Sequence, residues 1–435
     1  MRENPERAES TAPNAAMWAA LVVAFMGWMF DGMEMGLYSW AVPPALKELL
    51  HTQDNAFIQP YIGYTVALFL VGMSTGGIVF GRLGDTLGRV KTMIITVMVY
   101  ALFTGLSGLC QNFPQLAVCR FIGAMGLGGE WGLGVALVME SWPNTTRPLL
   151  AGLLGGAANV GFLIAALLTK WLSNHSQVAG MANWRIALMM GFLPALLTLF
   201  VRLFVKESEK FTQAKEAGQK SRFADLFTPE LQRNSLIGIA VSAVAVLGMW
   251  GVYQAWLQGW VEQMVGKAHE GEAVATVKAA VGHARAVVGQ YMAIGSIIGA
   301  FFGGLLAQSM GRRASYALFC GGALISSLAL YMGCHEYGTR LLVLATIGGV
   351  FSASFFGWLP LYLPELFPTR IRATGEGLTF NCGRVISAVG VLFTGHIAKA
   401  FGGPAKACAI MALINLVGLA VIAFAPETKD CELPE

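Results

Sequence analysis

Charge is what this chain has least of. Only 12% of its 435 residues are Asp, Glu, Lys or Arg, against 55% hydrophobic. That is about half the charged share of a soluble domain, too little to build a water-facing surface. Metal and disulfide chemistry also lack their residues. The seven cysteines (Cys110, Cys119, Cys320, Cys334, Cys382, Cys408 and Cys431) form no CxxC pair and mostly sit inside apolar runs, as buried free thiols do. No metal or other cofactor is expected. No GxxxxGK[ST] loop occurs, which argues against direct ATP drive. Segments of ~10 residues with strict alternation are missing too, which excludes a membrane barrel. His175, His283, His335 and His396 stand singly at span ends or in outer loops, so an enzyme is not expected. A solute receptor of the same architecture is disfavoured because no long cytoplasmic signalling extension is evident.

What is present is a succession of apolar runs, each ~20 residues long and able to cross a ~30 Å hydrocarbon core as helix. Twelve are expected, near residues 17–40, 61–80, 91–110, 115–139, 150–172, 185–205, 234–261, 285–307, 313–333, 340–363, 375–398 and 404–425. The first is too long, and too interrupted by acids, for a cleaved signal peptide. With the N-terminus inside, 18 of the 29 Lys and Arg fall in inside loops and tails. The positive-inside rule therefore places both termini in the cytoplasm of a multi-pass cell-membrane protein. The net charge of +4 is a topology signal and does not imply a nucleic-acid partner. The expected organisation is a tail (1–16), a six-helix half (17–205), a polar cytoplasmic linker (206–233), a second half (234–425) and a tail (426–435). The expected partners are lipid, a small-molecule substrate and a proton, with the chain a monomer.

Two motifs repeat. GRLGDTLGR (Gly81 to Arg89) matches GLLAQSMGR (Gly304 to Arg312) at an offset of 223, and ESWPNTTR (Glu140 to Arg147) matches ELFPTRIR (Glu365 to Arg372) at 225. Both fall in corresponding loops on one membrane side, which implies parallel six-helix repeats about an axis along the membrane normal. The fold class is thus an all-α membrane protein of twelve transmembrane helices in two pseudo-repeats.

These motifs, together with RFIGAMGLGGEW, YLPELFPTRIRATG and PETKD, resemble the major facilitator superfamily across essentially the whole chain. GGEW, ESWP and DGMEMG are closer to its sialate, aromatic-acid and general metabolite:proton symporter branches than to true sugar porters. The resemblance implies alternating access about a midplane site. The expected function is proton-coupled symport of a small organic anion, a carboxylate or acidic sugar. A neutral sugar or polyol, carried with protons or by facilitation, is the alternative.

Candidate residues divide by depth. At the loops, Gly81 and Gly88 allow a tight turn, and Asp85 is expected to accept from a helix N-terminus or to pair with a loop arginine such as Arg147. With Arg89, Glu140, Arg312, Glu365, Arg370 and Arg372 they form a candidate gate, unless these arginines serve topology alone. Gln308 in place of Asp85 should weaken the latch of the second half. Within the spans, ionisable groups are costly and informative. Asp31 and Arg120 fall at depths within reach of each other, and the resemblance makes them the proton-coupling pair; a permanent helix clamp is the other reading. Glu34, one turn on, either shares the Asp31 proton or faces the outer vestibule. Glu130 and Arg384 share a depth. They would bridge as an inner gate, or Arg384 would clamp a substrate carboxylate with Asn381 beside it. Trp250, Gln254 and Gln258 at i, i+4 and i+8, with Tyr253, Phe356 and Trp358, are candidate pocket walls, although membrane aromatics also serve packing.

Overall fold

The computed structural model describes residues 14–173, 180–194, 204–217, 222–254 and 257–434. The first half contains α1 (Ala15–Leu49), α2 (Asn55–Leu87), α3 (Arg89–Ser107), α4 (Phe113–Ser141), α5 (Arg147–Ser173) and α6 (Asn183–Met189). A short helix, α7 (Glu209–Glu216), lies in the linker. The second half contains α8 (Gln232–Val246), α9 (Leu257–Ala268), α10 (Val274–Met310), α11 (Arg312–Gly333), α12 (Thr339–Glu365), α13 (Arg372–Phe401), α14 (Pro404–Met411) and α15 (Ile414–Phe424). Among the described residues no strand occurs, and ten helices are long and apolar enough to cross a membrane. The 30-residue α13 covers the eleventh expected span. Of the sixth span, and of the N-terminal tail, residues 195–203 and 1–13 lie outside the described residues.

The helices outrun their apolar stretches. Asn14 starts α1 by accepting from Met17 N at 2.9 Å, and Asn112 starts α4 by accepting from Gln115 N at 3.0 Å with a proline in the first turn; both are standard N-terminal devices. Pro43 and Pro44 in α1 and Pro60 in α2 do not end their helices, since neighbouring helices and polar groups can satisfy the freed carbonyls. The seventh span departs from expectation. It runs as α8, then a π-helical stretch Leu247–Gln254, then α9, with residues 255–256 outside the described set. The π-turn changes the angular step between Trp250 and Gln254, and the path on to Gln258 runs through residues 255–256, so the expected shared face lies partly outside the described residues.

Glycine sets how closely helices meet. A Cβ on Gly72 or Gly76 of α2 would strike the carbonyls of Phe121 and Met125 on α4, and one on Gly295 or Gly299 of α10 would strike those of Thr346 and Val350 on α12. Small residues of this kind let membrane helices approach backbone to backbone. The two glycine pairs stand at the same offset as the first loop motif, so the repeat extends into the packing seams. Between the halves, α2 and α4 meet α13, and α5 meets α10 and α12. The linker is built into this interface: Phe211 of α7 lies buried 4.5 Å beneath the Arg89 guanidinium, and Asp225 pairs with Arg370 at 2.6 Å.

Candidate functional site

The loop motifs make one layer of the interface. Gly88 and Gly311 take φ of +118° and +92°, a region closed to most side chains. Each turns the chain so that the next helix opens with free N–H groups. Glu207 accepts from Arg89 N at 2.9 Å and from Val90 N at 3.2 Å; Glu427 accepts from Arg312 N at 2.8 Å and from Arg313 N at 3.0 Å. Burial raises the Glu207 carboxyl above the usual carboxylate range despite those bonds. At Glu427 burial pushes the same way, but the N–H groups of Arg313, Arg312 and Lys429 outweigh it and hold the carboxyl low. This third repeated pair was not among the sequence candidates, although KES and PET stand at matching places after the sixth and twelfth spans.

Side chains then tie one half to the other. Asp85 accepts from Ala373 N at 3.2 Å, Thr374 N at 2.7 Å and Thr374 Oγ1 at 2.5 Å, all at the start of α13, while pairing with Arg89 at 3.1 Å. Its partner is thus a helix N-terminus across the interface. Arg147, the arginine suggested for it, instead donates to the Trp142 carbonyl at 3.1 Å and to the Asn144 amide oxygen. Glu140 accepts from Arg89 at 3.0 Å and from Arg372 of the other half at 2.8 Å, with all three side chains fully buried. Arg89 also donates to the Thr369 carbonyl at 2.6 Å. In the second half Arg312 holds Glu365 by two bonds, of 2.5 and 3.0 Å. Gln308 bonds Arg312 and Asp430, both in its own half. The motif face is closed, and its cross-half ties start from Asp85, Glu140 and Arg89 of the first half. Arg370 ties the linker instead: its guanidinium, followed by the N–H of Arg222, holds the Asp225 carboxyl below the usual range.

Deeper in, Asp31, Glu34, Arg120 and Glu130 are all buried. Arg120 does not meet Asp31. It pairs with Glu34, and its guanidinium lies 3.4 Å from the Tyr38 ring centroid and 3.9 Å from that of Phe69. The antiparallel register of α1 and α4 explains the difference. Trp142 bonds the Met17 carbonyl, and the Glu130 carboxylate fills the space over Gly27, so Arg120 arrives level with Glu34 and Tyr38, a turn beyond Asp31. Glu34 is therefore the ion-pair partner of Arg120. The charges that act on Asp31 are, in order, Glu130, Arg384 and Glu34.

Asp31 and Glu130 line a small cavity with Ala24, Trp28, Trp131, Gly134, Val135 and Leu154. Asp31 Oδ1 and both Glu130 carboxylate oxygens have no hydrogen-bond partner. Trp131 stacks on Phe380 of α13, with centroids 3.9 Å apart and planes 18° apart, and Trp28 meets Trp131 edge-on at 5.9 Å. Arg384 lies 4.3 Å from the Phe380 centroid and donates to Asn381 Oδ1 at 3.1 Å. Asn381 in turn donates to the Gly128 carbonyl of α4 at 3.2 Å. Arg384 makes no ion pair with Glu130 or any other carboxylate among the described residues, so the expected bridge is not formed here. Trp131, a wall of this cavity, was missed, as was the Phe380 ring stacked on it. The only hint of them was the aromatic that follows Glu130 in GGEW.

The other candidates separate. Trp250 faces Phe162 of α5 across the interface at 6.4 Å, and Trp250 and Phe356 pack against the same buried clusters. Tyr253 is buried in the second half, its hydroxyl sharing a hydrogen bond with Ser327 Oγ at 2.9 Å. Trp358 is fully buried and donates to the Arg312 carbonyl at 3.1 Å. Both serve the core, because their polar atoms are already spent inside the bundle. The side chains of Gln254 and Gln258 lie outside the described residues.

Comparison with known proteins matches this arrangement. The profile of the sugar (and other) transporter family matches residues 18–242 and 339–435. A Haemophilus influenzae protein described as a metabolite transport protein is 30% identical, over 96% of this chain and 98% of its own. The cis,cis-muconate transport protein of Acinetobacter baylyi is 28% identical over 87% of each. Among solved structures, the major facilitator proton:xylose symporter XylE aligns over 97% of this chain and 98% of its own, with a TM-score of 0.76 at 16% identity; at that identity the likeness is one of fold.

Proposed function

We propose, for a chain that belongs to the sugar (and other) transporter family of the major facilitator superfamily, that it is a proton-coupled symporter of a small organic anion. The protein is a multi-pass membrane transporter, and the reading places it in the inner membrane with motif face and both termini in the cytoplasm. One observation carries the substrate class. Arg384 is a guanidinium at the interface of the halves whose contacts among the described residues are an aromatic face, an amide oxygen and the Met73 sulfur at 3.9 Å, with no carboxylate bridge. A cation held in a membrane interior without an anion is costly, and a carboxylate arriving with the substrate meets the need by bidentate, charge-assisted bonding. The muconate carrier among the relatives supports an acid over a neutral sugar.

Asp31 and Glu130 supply the proton site. Two carboxylates in one low-dielectric cavity resist ionising together, so at least one of the pair keeps its proton. Substrate at Arg384 and the proton at this pair then neutralise the site, which allows the halves to rock. Trp28 and Trp131, which line the cavity beside these carboxylates, give a planar substrate aromatic surface to lie against.

Proteoliposomes with an inside-alkaline gradient test the reading. Arg384→Ala should weaken carboxylate binding by about 10- to 100-fold, the scale of a charge-assisted bond, and spare a neutral analogue. Equal loss of both refutes the anion clamp. Asp31→Asn should abolish gradient-driven accumulation, and accumulation that survives it removes the proton site.

A further inference from the structure

One buried acid stands outside both layers. Glu376 of α13 is fully buried, and neither of its carboxylate oxygens has a hydrogen-bond partner. It lies one turn beyond Arg372 and two turns before Arg384, which places it between the closed motif face and the central cavity. Its surroundings are packed backbone. A Cβ on Gly132 of α4 would sit 3.6 Å from the Glu376 Cβ, and one on Gly81 of α2 would sit 2.6 Å from the Ala373 carbonyl. On the side of α8, Gly238 meets Thr379. The charges that act on Glu376 are Arg372 on its own helix, Glu140 on α4, Arg89 on α3 and Asp85 on α2. Those four already satisfy one another: Arg372 and Arg89 are held by Glu140, and Arg89 also by Asp85.

We infer that Glu376 is a second protonation site that ties proton release to opening of the motif face. With the face closed, an ionised Glu376 would be a bare charge in a dry interior, so the acid form is the one that fits. Arg372 belongs to the second half and Glu140 to the first. When the halves part at this face, Arg372 loses its cross-half carboxylate. Glu376, at i+4 on the same helix, is within reach to replace it. The exchange balances: the O–H bond of Glu376 breaks, the proton passes to water entering from the motif face, and the carboxylate takes the guanidinium. Closure reverses each step. The inference rests on the proton-coupled reading, yet it concerns a different residue and a different readout.

The sign follows from linkage. The closed form binds a proton that the open form releases, so raising the pH favours opening, by up to tenfold in the open-to-closed ratio per pH unit for one proton. Spin labels on Thr86→Cys and Ser309→Cys, two exposed sites flanking the motif face in opposite halves, report the separation by double electron–electron resonance, with Cys431→Ser to remove the exposed native thiol. In the full-length protein the open fraction should rise with pH. Glu376→Gln should hold the face closed and flatten that rise, whereas the Asp31 and Glu130 pair is read separately by gradient-driven uptake in proteoliposomes. A Glu376→Gln protein that opens with the wild-type pH profile overturns the inference, as does a wild-type face insensitive to pH. If the glutamine variant does not fold, Glu376→Asp keeps the titrating group but shortens its reach to Arg372. Its midpoint must shift, and an unmoved midpoint refutes the role.

Discussion

Glu140 and Glu365 are repeat-related carboxylates, and the structure assigns them different work. Glu140→Gln removes the acceptor of two guanidiniums, Arg89 in its own half and Arg372 in the other. Only the second bond changes when the motif face opens. The closed form should therefore lose about one charge-assisted bond relative to the open form, about 1.5–3 kcal/mol, a rise of about 10- to 150-fold in the open-to-closed ratio. The Arg89 bond is lost in both forms and shows instead as lower overall stability. Glu365→Gln is the control, because Glu365 pairs with Arg312 in its own half at 2.5 Å. It should lower the melting temperature in detergent without shifting the equilibrium. The spin-label pair at positions 86 and 309 measures the equilibrium directly. Equal shifts from the two variants, or none from Glu140→Gln, would refute the argument that the gate is asymmetric.

Other expectations follow from single contacts. Glu34→Gln leaves the buried Arg120 without its carboxylate and should destabilise by about 3–5 kcal/mol; Asp31→Asn should cost far less, and thermal unfolding of the two variants compares them. The backbone at Gly88 or Gly311 lies at positive φ with extended ψ, so Ala at either should cost about 1–3 kcal/mol, read in the same melts. Asp225 is depressed by Arg370, so its contribution is present above the ordinary carboxylate pKa and is lost as pH falls through its lowered folded value. Protease nicking of the linker near 222–230 should accelerate over that acidic range, and Arg370→Gln should remove the acceleration.

Much of the architecture was legible because its cause is local. Too few charges for a water-facing surface, apolar runs of spanning length and two motifs at one offset are one-dimensional facts, and each follows from the cost of backbone and charge in hydrocarbon. The same logic made Asp31, Glu34, Arg120, Glu130 and Arg384 stand out, since an ionisable group in a span is conspicuous whatever it touches. Glu376 escaped the list because it opens the eleventh span, where a charge reads as a helix end.

What the sequence could not settle was pairing. Depth along a helix is known only to about a turn, and one turn of slip in the register of α1 and α4 decides whether Arg120 meets Asp31 or Glu34. Facing direction was equally out of reach: Tyr253 and Trp358 look like pocket walls until their polar atoms are found bonded inside the bundle, while Trp131 lines the cavity beside Asp31 and Glu130 and stacks on Phe380 from a helix some 250 residues away in sequence. The repeat was visible in the sequence, but its asymmetry came only with tertiary structure. Which half's carboxylate crosses the interface depends on how two six-helix bodies meet, and the sequence of either half alone does not specify that contact.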